Sequence, residues 1–155
     1  MQSDFVLLPC DIFFPSTLTL SSILDKHRST PDSVCTALLY EAPEPVKENE
    51  EKLLTATDPD TDELLLLQGL DTLEEDLELR MGLIEAHPRL KLSTRLLDAH
   101  VYVFRRTVLD LLATRRSKDL SSVREQFVPW LVKGAWQEGL AHAWTPSEFQ
   151  RLSSC

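Results

Sequence analysis

The chain opens on an apolar run, Phe5-Val6-Leu7-Leu8, closed by Pro9-Cys10-Asp11. Four consecutive apolar residues read as a buried strand that delivers an acid at its carboxyl end. From Thr17 to Arg28 the period changes: Leu20, Ile23, Leu24 and His27 recur at the i, i+3, i+4, i+7 spacing of an amphipathic helix. Ser29-Thr30-Pro31-Asp32-Ser33 marks a turn. Val34 to Tyr40 then reads as a second strand, nearly continuous in apolar residues, as when both faces are covered. Strand, helix and strand at this spacing predict a βαβ crossover.

Beyond Tyr40 the pattern loosens. Residues 41–52 carry two prolines and five glutamates and read as a solvated, disordered loop. Leu53-Leu54-Thr55-Ala56-Thr57 and Glu63-Leu64-Leu65-Leu66-Leu67 flank the polar cluster Asp58-Pro59-Asp60-Thr61-Asp62, which predicts an antiparallel hairpin. Leu70 to Leu79 is acidic and mixed, a loop or short helix, and Gly82 to His87 forms a helical turn stopped by Pro88. Leu90 to Thr94 alternates as a half-exposed strand does, and a further strand, Ala99 to Phe104, follows Asp98. A helix is expected from Thr107, and another over Val123 to Lys133 with Phe127, Trp130 and Leu131 on one face. Pro129 inside that second run argues against an unbroken helix, because an interior proline costs about 3 kcal/mol. The expected domain is 3–139, with 140–155 as a loosely ordered tail.

Composition narrows the function classes. A length of 155 residues, 43% hydrophobic and 26% charged, suits one domain with its own core. A net charge of −9 argues against a surface that tracks nucleic-acid phosphates. The basic pairs Arg105-Arg106 and Arg115-Arg116 read as solvated helix ends. No apolar run approaches the roughly 20 residues that span a bilayer, and no export signal is evident. Cys10, Cys35 and Cys155 have no metal-ligand spacing and fit a reducing, cytosolic compartment.

Candidate chemistry is sparse. The four glycines are scattered, so no phosphate-cradling loop exists, and no nucleophile–base pair stands out. The four histidines lack zinc spacing, and His100 reads as a partly buried structural residue. Asp58-x-Asp60-x-Asp62 resembles the start of a calcium loop, but Glu63 stands where a glycine is needed and Gly69 where a glutamate is. Asp11 and Asp98 remain. If the fold brings them to one sheet rim they could hold magnesium with a nucleotide phosphate. The plainer reading is that each caps the turn that follows it.

Two blocks carry a family resemblance. Phe5-Val-Leu-Leu-Pro-Cys-Asp11 and Leu96-Leu-Asp98-Ala-His100-Val-Tyr102 resemble the nucleotidyltransferase-like domain of sugar-nucleotide pyrophosphorylases. The order Glu85-Ala-His87-Pro88 through Asp98-Ala-His100, then Val123-Arg124-Glu-Gln-Phe-Val-Pro129-Trp130-Leu131-Val132, is most similar to the gamma-subunit family of eukaryotic translation initiation factor 2B. The resemblance covers roughly residues 3–136. It implies an α/β fold, a mostly parallel, doubly wound Rossmann-like sheet in three layers. It also implies a noncatalytic subunit of a guanine-nucleotide exchange factor, with no cofactor, whose partners are an epsilon-type subunit, the other subunits of that complex and initiation factor 2. The alternative is a fragment of a magnesium-dependent nucleotide-sugar pyrophosphorylase using Asp11 and Asp98.

Departures from the family pattern favour the scaffold. Active relatives open with a glycine-rich loop on the first strand, whereas Met1 lies only a few residues before Phe5, so the sheet is expected to lack its first strands. Pro9 forfeits a ladder bond and is expected to close its strand early. His100 stands two positions after Asp98, where relatives carry a small residue, and would crowd a nucleotide. A sheet lacking neighbours bares an edge, so the isolated chain is expected to be poorly stable.

Overall fold

The computed structural model describes residues 3–41, 52–72, 79–114 and 120–136. Strands β1 (Phe5–Leu7), β2 (Cys35–Glu41) and β6 (Leu96–Phe104) form one sheet in the order β1-β6-β2, and β6 runs antiparallel to both neighbours. Strands β3 (Leu53–Asp58), β4 (Glu63–Gly69) and β5 (Lys91–Ser93) form a second, in the order β4-β3-β5, again antiparallel throughout. Helices α1 (Leu20–Ser29), α2 (Met81–Ala86), α3 (Thr107–Thr114) and α4 (Val128–Trp136) complete the described elements.

The expected mostly parallel, doubly wound sheet is therefore absent: two small antiparallel sheets stand in its place. The physical reason is the position of β6. β1 and β2 do run in the same direction and are joined through α1, but β6 lies between them and pairs with each. No parallel pair forms among the described residues, and β2, expected to be covered on both faces, is an edge strand with no fully buried residue.

Local chemistry explains the element ends. β1 stops at Leu7, two residues before Pro9, which has no N–H to offer the ladder. Thr19 caps α1, its hydroxyl accepting from the Ser22 N–H at 3.3 Å, and Lys26, His27 and Arg28 occupy the last turn, where cations suit the helix dipole. α2 ends at His87, ahead of Pro88. The helical run from Val123 is divided: Val123–Phe127 forms one wide turn, with the Phe127 N–H reaching Ser122 O at 3.0 Å, and α4 starts afresh at Val128. Pro129 thereby falls in the first turn of α4, where a missing N–H leaves no bond unmade.

Three apolar clusters hold these parts. One joins the sheets: Leu53 and Leu67 meet Tyr102 and Phe104 beneath Val108, Phe127, Val128 and Leu131. Within it the rings of Phe5, Phe104, Phe127 and Trp130 follow one another, tilted at the first two contacts and stacked at the last, with centroids 5.4, 6.0 and 6.0 Å apart. The second lies under α2, with Leu83 on Leu54, Ala56, Leu65 and Leu66. The third packs Ile23 of α1 on Val101 and Val103. Acidic segment 42–51, residues 73–78 and 115–119, and the tail expected over 140–155 lie outside the described residues.

Candidate functional site

Leu7 pairs with Tyr102, and from there β1 leaves the ladder toward the end of the sheet where β6 begins. Asp11 comes four residues after the end of β1, and Asp98 lies near the start of β6. Their surroundings differ sharply. Asp11 is exposed, in the turn after the strand. Asp98 is 5% exposed and lies inside β6 rather than ahead of it.

The Asp98 carboxylate is engaged from within. Oδ1 accepts the His100 N–H at 2.8 Å, and Oδ2 accepts the Tyr102 hydroxyl. Opposite this segment the register with β2 shifts between Ala37 and Leu39, which face Tyr102 and Asp98. β6 thus bulges over Ala99–Val101, and His100 adopts φ +57°, a left-handed conformation costly for a residue with a Cβ. Asp98 caps that bulge through the side-chain-to-backbone bond that aspartate makes two residues on. Burial, then the Asp98 bond, pushes the Tyr102 hydroxyl well above its ordinary pKa, so it stays a donor. Burial, followed by the Asp98 charge, pushes the Cys35 thiol up to about 12.

A cleft of about 450 Å³ opens between the two sheets and α4, lined in part by Asp98, Asp71, Gln68, Arg124, Glu125 and Lys133. Its charges are mixed, with three acids facing an arginine and a lysine. No group of three or more His, Cys, Asp or Glu side chains gathers as a cation cage among the described residues. The wide turn carrying Arg124 and Glu125 is a geometry that recurs at functional sites.

The three aspartates of the hairpin turn are each matched to a nitrogen-bearing side chain from another part of the chain. Asp58 meets His87 at 2.7 Å, Asp62 meets Lys26 of α1 at 2.8 Å, and Asp60 pairs with Arg89. The bond from His87, with the Asp60 N–H, holds the Asp58 carboxyl below its ordinary value. The calcium-like spacing is therefore a turn tied to α1 and to the approach to β5. Arg105, expected at a solvated helix end, instead donates to the carbonyls of Ser33 at 2.6 Å and Thr30 at 3.0 Å.

Sequence reasoning set His27 on the apolar side of α1 but gave no partner for it. In the structure it joins Asp4 and Thr36: Nδ1 lies 2.8 Å from Thr36 Oγ1 and Nε2 3.9 Å from Asp4 Oδ2. The order acid, imidazole, hydroxyl resembles a hydrolase triad, yet Thr36 lies within β2, paired with Val103, and the small cleft beside His27 does not reach it. No signal short of the fold could have joined residues this far apart in sequence. No protein-family model matches the chain, and no curated protein is matched by its sequence.

Proposed function

We propose that this chain is a noncatalytic interaction module of the kind found in the gamma subunit of the exchange factor for translation initiation factor 2. In that role it holds an epsilon-type subunit, the other subunits of the complex and initiation factor 2, and carries out no reaction of its own. The observation that carries the reading is Asp98: the acid that a nucleotidyltransferase would use for metal is buried and bonded to Tyr102 and the His100 amide. The bulge that Asp98 caps holds His100 in a left-handed conformation beside it. The antiparallel sheets remove the doubly wound frame the resemblance implied, so the resemblance rests on the sequence blocks themselves.

The alternative, a fragment of a magnesium-dependent nucleotidyltransferase, needs Asp11, exposed in the turn after β1, to reach the buried Asp98 of β6. Co-expression with an epsilon-type subunit distinguishes the two. Co-elution as a defined complex is the expected result. A folded chain that never joins that subunit, with or without initiation factor 2, would overturn the reading.

A further inference from the structure

His27 is 3% exposed, on the last turn of α1, packed toward the sheet. Its Nδ1 is fixed by Thr36 of β2, while Nε2 is buried without a hydrogen-bond partner among the described residues. Nε2 points to the acid just ahead of β1: Asp4 Oδ2 is 3.9 Å away, too far for a hydrogen bond. A cleft of about 260 Å³ opens at this junction, bordered by Asp4, Phe5, Leu24, His27, Arg28 and Val103.

The charges around the ring are few. Ahead of β1 there is Asp4, whose other oxygen accepts the Arg106 N–H at 2.9 Å, near the start of α3. After β6 there is Arg105, immobilised on the Ser33 and Thr30 carbonyls. On α1 itself Arg28 borders the cleft and pairs with Asp25 at 3.3 Å. β2 contributes only the Thr36 hydroxyl. A neutral ring suits this arrangement, because the Thr36 hydroxyl serves Nδ1 in either tautomer. A cationic ring carries an N–H on both nitrogens, so Nε2 must draw Asp4 toward it, against the Arg106 contact. Burial foremost, then Arg105, holds the His27 pKa below its ordinary 6.5, with Asp4 pulling the other way.

We propose that His27 is a proton-sensitive latch, which seals the last turn of α1 onto β1 and β2 when neutral and releases that turn, with the β1 edge, when protonated. The parts released are those that border this junction: the end of α1, the short β1, which its three-residue pairing with β6 holds on the other side, and the Asp4 link to α3. The β3–β4 hairpin, held by Leu83 on Leu54, Ala56, Leu65 and Leu66 and reaching α1 through the exposed Lys26–Asp62 pair, stays closed. This device stands apart from the docking role and does not depend on it.

Hydrogen exchange on the full chain, corrected for intrinsic rates, tests the latch at about pH 7.5 and about pH 5.5, on either side of the ordinary histidine value. Opening of α1 and β1 should rise by up to about tenfold for each pH unit below 6.5 until the folded pKa is passed, while β3 and β4 keep their protection. In His27→Gln, which keeps a neutral polar side chain, the pH dependence of α1 should vanish. Unchanged α1 protection in the wild-type chain, or a pH effect surviving in His27→Gln, would overturn the proposal. Should the variant not fold, the wild-type chain decides by NMR: loss of α1 and β1 amide protection along the His27 ring titration upholds the latch, and a ring that titrates while that protection is unchanged sinks it.

Discussion

Tyr102→Phe removes one oxygen from the middle of the protein and should cost far more than its size suggests. Tyr102 is 2% exposed and its hydroxyl donates to Asp98, itself 5% exposed. The aromatic ring keeps its place between Phe104 and the sheet, so no cavity opens beyond the lost hydroxyl. What remains is a buried carboxylate that has lost the Tyr102 hydroxyl and keeps the His100 N–H. A hydrogen bond to a charged group contributes about 1.5–3 kcal/mol, so a loss of about 2 kcal/mol is expected. For a chain of this length that lowers Tm by roughly 4–8 °C. Urea unfolding followed by tryptophan fluorescence reads it as a shift in midpoint at constant slope. In Asp98→Asn the carboxylate charge is gone, and adding Tyr102→Phe should cost about 1 kcal/mol or less, so the double-mutant cycle shows coupling. A change within about 0.5 kcal/mol for Tyr102→Phe, the range of ordinary surface substitutions, would refute the claim that this bond holds the acid.

Phe127→Ala should cost about 3–5 kcal/mol, since its ring is 3% exposed between Phe104 and Trp130, whereas Pro129→Ala in the first turn of α4 should change stability by less than about 0.5 kcal/mol; chemical denaturation compares them. Alkylation at about pH 8, mapped by mass spectrometry, should label the exposed Cys10 and leave Cys35 unmodified, because thiolate is the reactive form and burial pushes the Cys35 thiol up to about 12. The Asp58 carboxyl is held below 3.8, so its contribution is complete above that value and disappears as pH falls through the lower folded pKa. His87→Ala should therefore flatten the acid limb of a stability–pH curve below about pH 4, and an unchanged limb would count against the pairing.

The strands and helices were legible because their periods are strong, and their partners were not. Leu53–Thr57 and Glu63–Leu67 around a polar turn gave the β3–β4 hairpin directly, since hairpin pairing is local. The apolar runs at Phe5 and Val34 gave two strands joined through a helix, and a parallel pair is the usual outcome of that order. Nothing in the spacing told that β6, sixty residues further on, would enter between them. Asp98 was placed ahead of its strand because a carboxylate breaks an apolar pattern; the fold buries it, since Tyr102 and a bulge satisfy its oxygens. The helical period put His27 on the covered face of α1, but Asp4 and Thr36 come to it only through the sheet. The acids at Asp58, Asp60 and Asp62 likewise had visible spacing and invisible partners, because His87, Arg89 and Lys26 lie on other elements. The membrane reading is narrower in the structure: among the described residues no helix is long and apolar enough to cross a bilayer.

The most direct measurement is isothermal calorimetry of the full chain with magnesium and a nucleoside triphosphate, run beside Asp98→Asn. With Asp98 engaged by Tyr102 and the His100 amide, the two proteins should give the same titration, without a magnesium-dependent binding isotherm. Micromolar binding that requires magnesium and disappears in Asp98→Asn would show an open, ligand-holding acid and contradict the reading of this fold as a module that docks without reacting.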